Sequence, residues 1–485
     1  MFSYGKSAST FRRGLCRRSH TPRPVARRLL WAVVVVGLGS TFPMRAQDAV
    51  PHSSLKRTFV SLDDYGFRPS HGVGANAVLV ELTPPSPNQR IVVINSHPKN
   101  VNNFNYFIGE ELGKRGYRVV EINDYGSEMP ESLLPGIAAA IRFARTLTGV
   151  QWVVLAGHSD GGPELSFYED IAENGPSACQ QPDRLYKCNG EGLNDLPKAD
   201  ALLMLEANIG APHRTMSIDP AVDPKNPKVR DPKLDMYSPQ NGFDPKADTG
   251  SYSQEFIKRY EAAMHARSEA IIADALARLK DIEAHTGPYN DDEPFVVPGM
   301  SDNVAGARLN LADPKILART HVPHLLLKAD GTSPVQIVPE VREPKAIPLK
   351  QRDTLAATAQ FRTVRQYLAF SAIRTTPDFA LTEYDMKGFV WRSSANSLPG
   401  NVENVHVPTL VMAGSCMIHL VPLEVVFDHS GAKDKEFVAV EGGDHYFEPC
   451  RPEYGDSQKR AFDYVNHWLT KHFPDSEAIS RSKTQ

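Results

Sequence analysis

A chain of 485 residues with 41% hydrophobic and 23% charged residues has the composition of a globular protein, and it is long enough for a core plus an insertion or second domain. Its 54 basic and 57 acidic side chains leave a formal net charge of −3, which gives no case for nucleic-acid binding through a basic surface. The basic residues nevertheless gather at the start, where Arg12, Arg13, Arg17, Arg18, Arg23, Arg27 and Arg28 precede the apolar run Leu29-Leu30-Trp31-Ala32-Val33-Val34-Val35-Val36-Gly37-Leu38. A basic stretch followed by a short apolar one reads as a signal peptide over residues 1–46, cleaved after Ala46. The run is too short to span a bilayer comfortably, so no stable membrane span is expected after processing. The surroundings of Arg12-Arg13 fit a twin-arginine signal poorly, and no cysteine stands at the cleavage point to take lipid. The destination expected is periplasmic or extracellular, with the route open.

In chain order, alternating residues at 56–62 and 77–82 read as strands, followed by the turn Thr83-Pro84-Pro85-Ser86-Pro87-Asn88. Arg90-Ile91-Val92-Val93-Ile94-Asn95 is a buried strand leading into Ser96-His97-Pro98-Lys99-Asn100. A helix at 104–115, a strand at 117–122, a helix at 132–147 and the apolar run Trp152-Val153-Val154-Leu155-Ala156 follow. After a further helix comes the strand Ala201-Leu202-Leu203-Met204-Leu205. Strands alternating with helices at this spacing predict a mostly parallel sheet with helices on both faces.

The pattern then breaks. Asp219, Asp223, Asp231 and Asp244 each precede proline in a polar stretch, residues 253–285 read as one long helix, and another helix is expected near 355–370. The block 209–402 is too long for a loop and reads as a large, mainly helical cap or lid insertion. Sheet pattern resumes with Val407-Pro408-Thr409-Leu410-Val411-Met412-Ala413-Gly414, then a strand at 436–440, a loop carrying His445, and an amphipathic helix at 458–472. The expected organisation is therefore a first core part at 47–208, the cap at 209–402, a second core part at 403–475 and a polar tail at 476–485. Segments 320–339 and 405–422 share His-Val-Pro, an apolar strand and a closing Val-Pro, which makes the strand count between them ambiguous.

The motif that carries chemistry is Gly157-His158-Ser159-Asp160-Gly161-Gly162 between the 152–156 strand and the helix opened by Pro163. A Gly-x-Ser-x-Gly turn from strand to helix lifts a serine hydroxyl clear of the sheet, beside backbone N–H groups that can hold an oxyanion. Outside the leader the cysteines number four, Cys179, Cys188, Cys416 and Cys450. An even set in an exported chain suggests two disulfides, with three connectivities open. Cys179–Cys188 would close a short local loop, and Cys416–Cys450 would tie the loop after residue 414 to the one carrying His445. No Cys/His spacing resembles a zinc site, and no cofactor is called for.

In these motifs the chain resembles the α/β-hydrolase superfamily over residues 56–208 and 403–475. The resemblance implies a mostly parallel eight-stranded sheet and a Ser–acid–His relay in that chain order. Ser159 matches the nucleophile, and His445 the histidine that takes its proton. The family pattern puts an Asp soon after Gly414, but Gly414-Ser415-Cys416-Met417-Ile418-His419-Leu420 holds no carboxylate. Glu206, at the end of the 201–205 strand where certain haloalkane dehalogenases carry their acid, is the expected replacement, with Asp330 as runner-up and then Glu424. Asp444 is expected to serve the loop backbone. The resemblance further implies an oxyanion hole from the N–H of Asp160 and that of Lys99 or Asn100, Pro98 having none to give. His97 and His158 are expected to support the site rather than react. The activity implied is ester hydrolysis of a small molecule through an acyl-enzyme. An amidase or peptidase of the same fold, or a non-catalytic periplasmic binding protein, are the alternatives. Substrate identity and oligomeric state are not legible.

Overall fold

The computed structural model describes residues 54–66, 76–97, 103–123, 129–289, 291–301, 308–343 and 359–475. The expected leader (1–46), the tail (476–485), Lys99 and Asn100 lie outside them.

The main sheet is built from β1 (Ser54–Ser61), β2 (Asn76–Thr83), β3 (Ile91–Ser96), β4 (Arg118–Asn123), β5 (Trp152–Ser159), β6 (Ala201–Ala207), β7 (His324–Leu327), β8 (Val335–Gln336), β9 (Thr409–Gly414) and β10 (Lys435–Val440). Their order across the sheet is β1-β2-β4-β3-β5-β6-β9-β10-β7-β8. The ladder is parallel from β4 through to β7, and antiparallel pairs stand only at the two ends. Successive side chains of a strand point to opposite faces, so a strand covered on both faces must be apolar throughout. That is why β5 and β6 read as unbroken apolar runs. Val153, Leu155, Leu202 and Met204 enter one core layer, while Val154, Ala156, Leu203 and Leu205 enter the other.

Helices α1 (Phe107–Lys114) and α6 (Ser457–His472) cover the second layer with Ile108, Leu112, Phe462, Val465 and Leu469. Helices α2 (Leu134–Thr146), α3 (Gly161–Asn174) and α5 (Leu420–His429) cover the first. A fully buried Leu or Ile stabilises by roughly 1.5–3 kcal/mol relative to an exposed one, so these two layers dominate the energetics.

The sheet carries ten strands rather than eight. The eight expected from the core segments are present, and the additional pair comes from inside the 209–402 block. β7 adds in parallel to β10 (Leu325 opposite Val438), and β8 folds back on β7. The repeated His-Val-Pro phrase concealed this, because β7 looks like a second copy of β9. The rest of the block is dominated by α4 (Gln254–Glu283), capped by the Ser253 hydroxyl accepting from the Phe256 N–H (3.2 Å). Its buried stripe, Phe256, Tyr260, Met264, Ser268 and Ile272, recurs every fourth residue. Glu261 and Glu269 on this helix accept the Leu381 and Thr375 N–H groups, each at 2.8 Å, and so dock the ribbon Thr375–Leu381/Met386–Phe389 onto it. The helix expected at 355–370 is instead, in its described part, a strand (Ala359–Thr363) followed by helical turns. Pairing of Gln360, Phe361 and Arg362 with Val297, Val296 and Phe295 outweighs local helical preference there.

Candidate active site

The elbow forms where β5 ends and α3 begins. Ser159 sits at φ +52°, in the left-handed region that L-residues other than glycine rarely occupy. The glycines after it let the chain close tightly. A Cβ on Gly161 would stand 2.0 Å from the carbonyl oxygen of Ser96 at the end of β3, and one on Gly162 would stand 2.5 Å from the Cβ of Ala207 on β6. Asp160 is the N-cap of α3, so its N–H belongs to the set a helix start leaves without an intrahelical partner. Its carboxylate lies 3.8 Å from the guanidinium of Arg214.

One strand over, Glu206 is fully buried and also left-handed, at φ +47°. The backbone stays pinned between the two, because the Asn208 N–H donates to the Ser159 carbonyl (2.8 Å). Glu206 Oε1 accepts the Gly414 N–H at 2.5 Å, and Oε2 accepts from His419 Nδ1 at 2.9 Å. Nδ1 of His445 lies 3.5 Å from that same Oε2, longer than a well-formed hydrogen bond. Burial alone would raise the carboxyl's pKa, but the bond from His419 and the proximity of His445 outweigh it and hold the group below the usual range. Glu206 is thus a buried carboxylate with two imidazoles on one oxygen.

His445 lies on the loop between β10 and α6, and its side chain is 23% exposed where Glu206 and His419 are closed off. The loop is fastened to the end of β9. Cys416 N–H donates to Gly443 O (3.0 Å), Gly442 N–H donates to Ser415 Oγ (2.9 Å), and Cys416 is bonded to Cys450. Asp444 accepts the Tyr446 and Glu448 N–H groups at 2.8 and 2.9 Å, as expected of a residue serving the loop backbone.

His158, inside the elbow, reaches across to the same loop. Its Nε2 lies 2.7 Å from the His445 carbonyl oxygen and its Nδ1 lies 2.6 Å from the Tyr106 hydroxyl. A carbonyl can only accept, so Nε2 carries the proton and Tyr106 donates to Nδ1. Burial, and then the neighbouring His445, hold His158 well below the ordinary histidine pKa. The His158 and His445 rings are 4.5 Å apart. His419 stacks on His213 at 5.0 Å, and Nδ1 of His213 donates to Asn208 Oδ1 (2.7 Å). Burial places His213 and His419 below the ordinary value as well.

The structure therefore brings Ser159, Asp160, Glu206 and His445 to one end of the sheet, and commits the other two candidate acids to different partners. Asp330 is an exposed turn residue accepting from the Thr332 N–H (2.9 Å) and hydroxyl (2.6 Å). Glu424 is committed to His324, at 2.7 Å, and to the His321 N–H, at 2.8 Å. The four cysteines pair as Cys179–Cys188 and Cys416–Cys450. Sequence reasoning missed His419 and Tyr106. His419 stands within the stretch where the family acid was sought and found absent; the missing carboxylate was itself a hint that the position holds a partner for a carboxylate elsewhere. Two imidazoles and a carboxylate, with ligand atoms within 4.8 Å of one another, are also a donor set that suits a divalent transition metal, although Nδ1 of His419 is already taken up by Glu206 Oε2.

No protein-family profile and no curated protein sequence matches the chain. Among solved structures it is similar to a hypothetical protein from Pseudomonas aeruginosa (13% identity, 89% of this chain and 96% of that one, TM-score 0.38). It is also similar to Est1E from Butyrivibrio proteoclasticus (12%, 83% and 96%, TM-score 0.34) and to a monoacylglycerol lipase from Paleococcus ferrophilus (14%, 86% and 99%, TM-score 0.33). At such values nothing of their activities carries over. The strand order, the elbow after β5 and the histidine loop after β10 are by themselves the α/β-hydrolase fold. Among the described residues no helix is long and apolar enough to cross a membrane.

Proposed function

We infer that the chain is an exported serine hydrolase that cleaves carboxylic esters through an acyl-enzyme on Ser159. The observation that carries this reading is Glu206, a buried carboxylate kept ionised and set against Nδ1 of His445 beside the elbow. A carboxylate there fixes the tautomer that leaves Nε2 of His445 unprotonated and free to act as a base. In this reading Ser159 Oγ attacks the ester carbonyl as its proton passes to His445 Nε2. The Asp160 N–H, with one from the loop after β3, holds the oxyanion, and the alcohol leaves with the proton. Water then attacks the acyl group, gives a proton to His445, and the acid departs as Ser159 Oγ is reprotonated. The contact between Glu206 and His445 weighs against a non-catalytic binding protein, for which the missing acid after Gly414 was the argument. The two disulfide pairs support export, since such bonds persist in oxidising compartments. The expected cap stays part of the proposal, as the portion of residues 209–402 outside β7 and β8.

The test is labelling by a fluorophosphonate probe together with hydrolysis of a short-chain aryl ester. Wild type should label and turn over, and Ser159→Ala should do neither. Glu206→Gln should lower kcat by about 10³–10⁴-fold with little change in KM. Folded wild-type protein that takes no label would overturn the assignment, and near-normal turnover by Glu206→Gln would remove Glu206 from it.

A further inference from the structure

The carboxylate that faces His445 is shared. Oε1 of Glu206 is taken up by the Gly414 N–H, so only Oε2 is open to an imidazole. His419 holds that oxygen at 2.9 Å, and His445 reaches it at only 3.5 Å. An ionised carboxylate only accepts, so His419 presents Nδ1–H to it, and burial of the ring disfavours its charged form. It is fully buried, fixed on the turn before α5, stacked on His213 and edge-on to His445 at 5.2 Å. In the place where the fold's usual acid would point a carboxylate at the base, this chain points a hydrogen-bond donor at the acid.

We propose that His419 is a positioning residue for the hydrolytic site: by donating to Oε2 of Glu206 it fixes the carboxylate's rotamer and withholds part of its charge from His445. The inference rests on the reading of Ser159, Glu206 and His445 given above. The groups facing this set are few. His445 is met by Glu206, His419, His158, His213 and Tyr446. His419 is met by Glu206, His445, His213, His158 and Arg308, whose cationic group is itself fully buried. Glu340 bears on Glu206 from a further element. Of these, Glu206 is the anion in bonding reach of both imidazoles, so removing one donor must strengthen its hold on the other.

The readout is the acidic limb of kcat/KM against pH, which reports the free-enzyme base. His419→Phe fills the volume and removes the donor, and should move that limb upward by about one pH unit. His419→Asn, whose amide nitrogen stands where Nδ1 does, should restore it to the wild-type position. His419→Gln carries its amide beyond that point and serves as a second donor-removing variant should Phe not fold; the same upward shift is expected. A limb that stays in place or moves down in the donor-removing variant, with Ser159 still labelled by fluorophosphonate, overturns this inference and spares the hydrolase reading. Wild type that fails to label overturns both.

Discussion

At the scale of single residues, the middle position of the elbow motif is where sequence and structure diverge in weight. As the x of Gly-x-Ser, His158 has no required identity, yet it spans the elbow, the Tyr106 segment and the histidine loop with two short bonds. The bond from Tyr106 requires Nδ1 to be unprotonated, and burial keeps the ring neutral well below the ordinary histidine range, so the pair of bonds persists through neutral pH. Losing them leaves a half-buried tyrosine hydroxyl and a carbonyl unpaired, and lets the His445 backbone drift, where a displacement near 1 Å costs on the order of 10²-fold in rate. His158→Phe should therefore reduce kcat by about 10–100-fold with KM little changed. His158→Gln places an amide N–H where Nε2 stood and should lose less. Steady-state kinetics decide it: equal losses in the two variants would mean that the ring fills space and does not hold the loop.

At the scale of elements, the site depends on two loops from strands adjacent in the sheet but distant in sequence. The β9 loop and the histidine loop are joined by backbone hydrogen bonds and by Cys416–Cys450, a bridge with a sequence separation of 34 residues. Cys179–Cys188 has a separation of 9 and stands after α3. Closing the longer loop removes more freedom from the unfolded chain, about 3.8 kcal/mol against about 2.6 kcal/mol in the chain-entropy account. The functional difference should be larger than the energetic one. Cys416→Ser/Cys450→Ser should lower both stability in urea and kcat in the protein that remains folded, because the histidine loop loses its covalent tie. Cys179→Ser/Cys188→Ser should lower stability alone. The same loss of kcat in both double variants would contradict a specific role for the longer bridge.

At the scale of the whole molecule, what could be read in advance follows what each residue depends on. The β3, β5 and β6 runs and the Gly157–Gly162 turn were legible because burial on two faces and close backbone approach constrain residue type locally. Glu206 was legible as a charge stranded at the end of an apolar strand. β7 was not, because His324–Leu327 duplicates the β9 phrase and only pairing with Leu325's partner Val438 assigns it to the sheet. Nor was His419, since a lone histidine in a loop has no periodicity to mark its partner. Least legible was the price of burying acids away from the site. Glu121 on β4 and Glu169 on α3 are fully closed off, each with one carboxyl oxygen lacking a hydrogen-bond partner, and burial pushes each up to about 8. Glu261 and Glu340 are pushed up to about 7 for the same reason. For a carboxyl raised on folding, the native state holds a proton the unfolded chain has released. The destabilisation is absent below the unfolded value, grows as pH rises and is complete above the folded value. The depressed histidines His158, His213 and His419 work oppositely, and only as pH falls below about 6.5. Between pH 6.5 and 8.5 the carboxyls act without that opposition, and stability should fall by on the order of 2–4 kcal/mol. Thermal unfolding midpoints across that interval should decline for wild type and decline less for Glu121→Gln/Glu169→Gln, which needs no proton to be buried neutral. A wild-type midpoint that holds level or rises from pH 6.5 to 8.5 would mean these carboxyls are hydrated in the native state and not closed within the two core layers.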